Sequence, residues 1–270
     1  MEIVKDRWHT RIIENWEDFD RDIEKMLYRD WLFRGQSDVE WEIKSSLYRL
    51  FEDIQQVVTS HKGRRRRFIR DEYEKILIKQ FQSNAHLYLS ALPDKLNSVE
   101  WLTIMQHYGA PTRLIDTTFS PHVAAYFALE QGSENCCVYA FKHQRFCEMD
   151  EASLNLKDYK KKIFEGHKGE NSFLVPYEPE MSNERILAQQ GCFLIPSTNY
   201  ETLNQILDQY GVYGEECIRY LIAKHLRFSG IKRLKQMNIT SATLFPGIDG
   251  FCRSLKFQVL ETTSRLKRLG

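Results

Sequence analysis

The chain has 270 residues, of which 42% are hydrophobic and 28% charged, a composition typical of a globular protein with an ordinary hydrophobic core. Its formal net charge is +1, so any contact with nucleic acid must come from a local basic patch. Because no apolar run has the length of a membrane span and the first residues are too charged for a signal peptide, we expect a cytoplasmic protein without membrane contact.

The six cysteines and eight histidines show no spacing typical of metal ligands. The sequence contains neither a C-x-x-C pair nor an H-E-x-x-H motif. We therefore expect free thiols in a reducing compartment and no metal cofactor.

The sequence contains no internal repeat and no low-complexity linker, which favours a single domain over residues 1–270. Apolar residues at helical spacing from Trp16 onward predict an amphipathic N-terminal helix within residues 1–29. Charged and poorly periodic sequence predicts an insertion over residues 142–170, with a helix near 157–165.

Residues 31–36 form an apolar run that predicts a strand, and this strand contains Arg34 and Gly35 near its end. An arginine at the mouth of a buried strand is costly to bury alone, so it meets a carboxylate or binds an anion. The structural alternative is an ion pair with Asp38 or Glu40. The glycine allows either a sharp turn or the close approach of a ligand.

A polar stretch after residue 52 includes four consecutive arginines. Such a run is typical of a solvated face, and the alternative is a contact with an RNA or DNA backbone or with an acidic partner. The run consists of Arg64, Arg65, Arg66 and Arg67. The next segment, residues 71–89, has the apolar spacing of a helix. The side chains predicted to face inward are Tyr73, Ile76, Leu77, Phe81 and Leu87.

The second half of the chain predicts further strands and helices. Apolar, β-rich runs predict strands at 136–141 and 173–176, and two short β segments within 183–195. Helical patterns occupy residues 203–210 and 230–237, and a Ser/Thr cap with an apolar docking segment follows the second of them.

The densest set of hydrogen-bonding groups lies between Trp101 and Ala128. This stretch predicts a helix, a turn, a short strand and a small-residue helix that begins at Ser120-Pro121. Capping explains Ser120 and one threonine, while Asp116 as a cap paired with Arg113 would be a purely structural arrangement. Because that arrangement leaves several polar groups without a task, we expect a ligand site. Its members are Arg113, Asp116, Thr117, Thr118 and Ser120.

Several motifs, taken in order, resemble the FRG domain family, which is named for its Phe-Arg-Gly motif. The resemblance spans roughly residues 31–250. It implies a bacterial toxin or phage-defence effector that a neutralising antitoxin protein holds in check. The motifs are Phe33-Arg34-Gly35, Ser46-Leu47-x-Arg49, Gln106-His107-Tyr108-Gly109-x-Pro111-Thr112-Arg113-Leu114-x-Asp116, Arg185-Ile186-x-Ala188-Gln189-x-Gly191-x-Phe193 and Leu244-Phe245-Pro246-Gly247.

A second resemblance is to ADP-ribosyltransferases of the Arg–Ser–Glu class. Arg34 matches the arginine that ends the first core strand of that class. The segment Asp116-Thr117-Thr118 resembles its Ser-Thr-Ser strand, with aspartate in place of the first serine, and Glu184 falls in order for the glutamate on a later strand. This resemblance implies an α+β fold with an ADP-ribosyltransferase-like split β-sheet core and flanking helices, and NAD as the substrate.

The resemblance also implies roles for individual residues. Breaking the nicotinamide–ribose bond develops positive charge on the ribose, which a carboxylate stabilises. The implied catalytic residues are Arg34, Asp116 and Glu184. Guanidinium forks bind phosphate or ribose, hydroxyls fix the nicotinamide half, and a tyrosine stacks on it. The implied NAD-binding residues are Arg34, Gly35, Tyr108, Arg113, Thr117, Thr118, Ser120, Arg185 and Gln189.

The acceptor of the ADP-ribose group is RNA or protein, and the basic run beside Phe68 favours nucleic acid. Two alternatives remain. A catalytically inactive nucleotide-sensing or partner-binding module is favoured by Asp116 in the serine position and by Arg185 in the register of the catalytic glutamate. A nuclease would instead use Asp116 and Glu184 as metal ligands.

Overall fold

A computed structural model provides the fold. The structure describes residues 7–60, 69–131, 135–153, 163–164, 171–180, 182–211 and 213–256, without the side chains of 58–60 and 150–153. The basic run Arg64–Arg67 and most of the helix predicted near 157–165 lie outside the described residues.

Within the described residues, seven strands form one mixed β-sheet in the order β1-β7-β4-β2-β3-β6-β5. The edge strand β1 pairs in parallel with β7, and every other neighbouring pair is antiparallel. The predicted α+β class is thereby confirmed. The strands are β1 (Trp8–Ile13), β2 (Trp31–Gln36), β3 (Ile115–Thr118), β4 (Cys136–Lys142), β5 (Leu174–Tyr177), β6 (Gly191–Pro196) and β7 (Gly214–Ile222).

Helices cover both faces of the sheet, and a hydrophobic core fills each interface. Trp101 and Leu102 belong to the core on one face, whereas Phe19 and Ala124 belong to the core on the other. The helices are α1 (Trp16–Ile23), α2 (Ser46–Ser60), α3 (Arg70–Asn84), α4 (Ser98–His107), α5 (Pro121–Gln131), α6 (His143–Ser153), α7 (Glu184–Ala188), α8 (Leu203–Tyr210), α9 (Arg227–Gln236) and α10 (Ser241–Leu244). Residues 248–256 are also helical.

Several helices begin at short polar capping residues. Asn15 accepts a hydrogen bond from the Asp18 amide at the start of α1. Thr202 and Thr240 form capping boxes at the starts of α8 and α10. A side-chain oxygen at these positions satisfies an amide that has no partner within the helix, so short polar residues fix where each helix begins.

The predicted N-terminal helix is α1, and the strand β1 before it was not predicted, because it forms by pairing with the distant β7. Two local predictions are wrong. The first of the two β segments predicted in 183–195 is the helix α7, which Asn183 caps. In α3, Tyr73 and Ile76 are 45% and 57% exposed, whereas Glu74 is buried. Glu74 faces inward because it pairs with a buried arginine, which rotates the helix from the face that apolar spacing alone predicts.

The six cysteines are free thiols, and four of them are buried: Cys136, Cys137, Cys192 and Cys217. Among the helices of the described residues, none combines the length and apolarity needed to cross a bilayer.

Candidate functional site

The sheet opens between β2 and β3. Their aligned residues are Phe33 and Thr118. Next to this pair, the Nη1 atom of Arg34 donates a hydrogen bond to the carbonyl oxygen of Asp116 at 2.6 Å. A side chain therefore bridges the strands where a backbone ladder would otherwise continue. Both strands line a cavity of about 900 Å³ at this opening, which is the size of a pocket for a nucleotide-sized ligand.

The opening brings together residues that are distant in the sequence. Strands β2 and β3 form the centre of the cleft, α7 and the residue after it form one side, and α5 contributes Phe127 and Glu130. The loop after β2 and the first turns of α2 form the outer part. The sequence-predicted site residues that line the cleft are Arg34, Gly35, Asp116, Thr117, Thr118, Arg185 and Gln189.

Arg34 gives the inner end of the cleft its positive charge. Burial lowers the pKa of its guanidinium, the neighbouring Asp116 raises it, and Arg49 lowers it. The Nε atom of Arg34 is buried and has no hydrogen-bond partner among the described residues. A half-buried guanidinium with a buried, unused Nε donor and a second arginine beside it favours the binding of an anion such as a phosphate.

Asp116 supplies an exposed carboxylate in the same cleft. The Nε2 atom of Gln106 donates to its Oδ2 atom at 2.9 Å, and the hydroxyl of Thr112 donates to Gln106 Oε1 at 2.6 Å. This chain of hydrogen bonds holds the carboxylate in a fixed orientation. Burial lowers the pKa of Arg34 and of Arg185, and the charge of Asp116 partly offsets that effect in both, so all three groups interact within the cleft.

Thr117 and Thr118 build the wall of the cleft with their hydroxyls. The Thr117 hydroxyl donates to the Cys192 carbonyl at 2.6 Å, and that of Thr118 donates to the Gln189 carbonyl at 2.7 Å. Both bonds tie β3 to the segment at the start of β6. The two residues thus line the predicted site. Their hydroxyls also fix the backbone between α7 and β6, which includes the site residue Gln189.

Arg185 reaches the cleft from the first turn of α7. Burial lowers the pKa of its guanidinium; Asp116 raises it and Arg253 lowers it. The ring of Phe245 supports it, since the Arg185 Cζ atom lies 4.8 Å from the ring centroid. The side-chain amide of Gln189 donates to the Leu244 carbonyl at 2.9 Å. The last residue of α10 and the phenylalanine that follows it therefore orient both polar residues of this side.

Arg113, predicted to bind the ligand, lies elsewhere and is 1% exposed. Its Nε atom donates to Glu74 Oε1 at 2.7 Å, and its Nη2 atom pairs with the other carboxylate oxygen. Its Nη1 atom donates to the carbonyl oxygens of Ile163 and Pro196 at 2.9 and 3.1 Å. All three of its nitrogens are bonded within the protein interior, so its role is structural. One interpretation of the sequence allowed this, but the partner is Glu74 instead of Asp116.

Three other predicted residues also lie outside the cleft lining. Glu184 is exposed in the first turn of α7, on a helix instead of the expected strand. Tyr108 follows α4 and is 63% exposed, with its ring 4.8 Å from that of His107. Ser120 accepts a hydrogen bond from the Val123 amide at 3.3 Å, so it caps α5. Asp116 is therefore the carboxylate of the predicted catalytic set that the fold brings to the cleft.

Gly35 is required by packing between a strand and a helix. It lies within β2 opposite Val138 of β4, so the backbone makes no sharp turn there. A Cβ atom at this position would overlap the carbonyl oxygen of Ala124 in α5. The glycine thus lets α5 approach the strand that carries Arg34. The close approach that the sequence indicated is therefore made by a helix and not by a ligand.

Several cleft residues were absent from the sequence prediction. Arg49 was part of a motif that carried the family resemblance, and this was a usable signal. Trp41 lies in the loop after β2, in a segment whose pattern is typical of a strand. Gln36 and the carboxylates of that loop and of α2 carry no sequence signal of their own, because only the fold brings them to the opening.

Among the described residues, no three histidine, cysteine, aspartate or glutamate side chains form a group that could hold a metal ion.

The fold and the site together describe an α+β protein with a charged cleft at the opening between two central strands. Residues 29–136 match the family model of the FRG domain. This match confirms the resemblance carried by the motifs from Phe33 to Asp116, and it includes Arg34 and Arg49 of the cleft. No curated protein and no solved structure matches the chain.

Proposed function

We propose that the protein is an NAD-dependent ADP-ribosyltransferase-like enzyme whose cleft between β2 and β3 holds the dinucleotide. One observation carries the proposal: the guanidiniums of Arg34 and Arg185 and the carboxylate of Asp116 meet in a cavity of about 900 Å³. Guanidiniums are suited to a diphosphate, and a carboxylate is suited to the positive charge that develops on a ribose.

In this proposal Arg34 and Arg185 bind the diphosphate and thereby fix the ribose beside Asp116. The bond between the nicotinamide nitrogen and the ribose breaks, and its electron pair leaves with nicotinamide. The Asp116 carboxylate stabilises the positive charge on the sugar until the acceptor attacks. Gln106 holds that carboxylate in place, so its orientation requires no rearrangement during the reaction.

The proposal extends to the fold and the cellular role. The opening of the sheet supports an ADP-ribosyltransferase-like split core, since it lies beside the strand that carries Arg34. The FRG match supports an effector of bacterial defence that acts in the cytoplasm and is neutralised by a partner protein. We further propose that the acceptor is RNA or protein, and that the arginine run contributes to binding it.

The test is nicotinamide release from labelled NAD by the purified chain. The Asp116→Asn variant is expected to lose about 10²–10³-fold of the rate, as when one group that stabilises transition-state charge is removed. The Glu184→Gln variant is expected to match the unmodified chain, because Glu184 lies outside the cleft. Equal rates in the unmodified chain and in Asp116→Asn would refute the proposed role of this carboxylate.

A second candidate is nucleotide binding without turnover. It is favoured by the position of Glu184, which leaves the cleft without the glutamate that the resemblance implies. In this case NAD raises the unfolding temperature but releases no nicotinamide. A ligand at 100 times its dissociation constant stabilises the folded state by about 2.7 kcal/mol, which a thermal scan detects. The Arg34→Ala variant, which lacks the guanidinium, serves as the blank.

A further inference from the structure

The end of α4 carries a histidine that the proposed function does not use. His107 is the last residue of that helix and directly follows Gln106, whose amide holds the Asp116 carboxylate. The ring of His107 is half-buried and lies outside the cleft lining. Its side-chain hydrogen bond leads instead to the start of α7, the helix that carries Arg185.

The direction of this hydrogen bond follows from the other contact of its partner. The Nδ1 atom of His107 lies 3.3 Å from the Nδ2 atom of Asn183. The Oδ1 atom of Asn183 accepts a hydrogen bond from the Ile186 amide at 2.9 Å, so the side chain presents its NH2 group to the ring. Because an amide NH2 group only donates, the Nδ1 atom of His107 is the acceptor. The imidazole is therefore neutral, with its proton on Nε2.

The surroundings of His107 favour this neutral form. Burial lowers the pKa of the imidazole, and the positive charge of Arg185 lowers it further. Among the described residues, Arg185 is the charged side chain that acts on the ring, and Tyr108 packs against it edge-on. A histidine whose pKa lies below its ordinary value is uncharged at neutral pH. His107 therefore serves as a hydrogen-bond acceptor there and not as a cation that binds an anion.

Asn183 is the N-cap of α7, so its position decides where that helix begins. Arg185 lies in the first turn, two residues after the cap, and reaches into the cleft. A shift of the cap therefore moves the base of the Arg185 side chain. His107 holds that base through the cap, whereas Phe245 supports the guanidinium at the other end.

We propose that His107 is a positioning residue for NAD binding, which accepts a hydrogen bond from Asn183 and thereby places the Arg185 guanidinium at the diphosphate. This inference rests on the proposed function, in which Arg185 helps to bind that diphosphate. Two consecutive residues at the end of α4 then serve the two sides of the site. Gln106 orients the Asp116 carboxylate, and His107 positions the guanidinium opposite it.

The first experiment measures NAD affinity by calorimetry and kcat by nicotinamide release. His107→Leu removes the acceptor and is expected to weaken NAD binding about threefold to tenfold, the net effect of one hydrogen bond. Its kcat is expected to change less than about twofold, because the support of Asp116 is unchanged. His107→Asn places an amide oxygen near the position of Nδ1 and is expected to restore the affinity to within about twofold.

The matched control is His86→Leu, at an exposed histidine outside the cleft lining. A His107→Leu variant with the same NAD affinity as this control would refute the inference. Equal losses of affinity in His107→Leu and His107→Asn would also overturn it, because the hydrogen-bond acceptor would then not be what matters at this position.

A double-mutant cycle tests whether His107 acts through Arg185. In an Arg185→Ala background, His107→Leu is expected to change NAD affinity less than about twofold, because the residue that it positions is absent. Fully additive losses of affinity overturn the inference and leave the proposed function intact. An unmodified chain that neither binds NAD nor releases nicotinamide overturns the proposed function, and the inference with it.

Hydrogen exchange at the Ile186 amide, measured without NAD, reports the cap by itself. His107→Leu is expected to speed this exchange about threefold to tenfold, and His107→Asn to return it to the rate of the unmodified chain. An exchange rate that is the same in His107→Leu and in His86→Leu contradicts the inference, since the start of α7 would then not depend on His107.

Discussion

The buried ion pair between Arg113 and Glu74 distinguishes a structural role for Arg113 from a ligand-binding one. The two side chains are 1% and 2% exposed, and they share two hydrogen bonds. Arg113 also donates to the carbonyl oxygens of Ile163 and Pro196. The proposed perturbation is Arg113→Met, which keeps most of the aliphatic chain but leaves the carboxylate of Glu74 buried without its cation.

The magnitude follows from these contacts. Removing one partner of a buried ion pair costs about 3–5 kcal/mol, because the remaining charge stays uncompensated. The carbonyls of Ile163 and Pro196 each lose a donor, at about 1–3 kcal/mol apiece when no water replaces it. Since whole domains are stable by about 5–15 kcal/mol, Arg113→Met is expected to remove most of the free energy of unfolding. Adding Glu74→Leu removes the unpaired charge and is expected to restore about 1–4 kcal/mol.

The assay is urea unfolding followed by circular dichroism, together with protection by NAD against thermal unfolding. The single variant is expected to shift the urea midpoint sharply downward, and the double variant to recover part of the loss. Arg113→Met with an unchanged midpoint but no protection by NAD would refute the structural assignment. It would return Arg113 to the ligand site.

Two further predictions concern the supports of the cleft. Gly35→Ala is expected to destabilise the protein by about 1–3 kcal/mol, because the new Cβ overlaps the Ala124 carbonyl oxygen. The control in the same urea titration is Gly191→Ala, whose nearest new contacts are at 3.5 Å. Phe245→Leu removes the ring that supports Arg185, so NAD binding measured by calorimetry is expected to weaken by about 0.5–2 kcal/mol while the fold persists. Unchanged NAD affinity in that variant would contradict the proposed contribution of Arg185.

The elements that the sequence predicts well are those with a local cause. The run at β4 is apolar throughout and becomes a fully paired central strand. Asn15 and Thr240 mark helix starts through their own side-chain hydrogen bonds. Arg34 was singled out because an arginine at the mouth of a buried strand needs a partner, and Asp116 because capping left it without a task. Both residues line the cleft.

The predictions that failed depend on contacts between distant parts of the chain. Glu74 faces inward because Arg113, 39 residues later, needs a carboxylate in the core. The loop after β2 and the first turns of α2 line the same cleft, and no local pattern records that arrangement. In contrast, α7 had a usable signal, since Asn183 accepts a hydrogen bond from the Ile186 amide at 2.9 Å. An N-cap asparagine followed by an acidic residue predicts a helix start.

The segment that matches the FRG domain contains most of the cleft but not the sheet that holds it. Within residues 29–136, β2 and β3 meet at a single aligned residue pair, and the match ends where β4 begins. Strand β2 is held along its length by β4, and β3 by β6, so strands largely or wholly outside the match position both edges of the opening. Arg185 also comes from outside it. The whole chain therefore sets the width of the opening, and with it the distance between the charges of Arg34, Asp116 and Arg185. The isolated segment is expected to lack the activity proposed for the cleft.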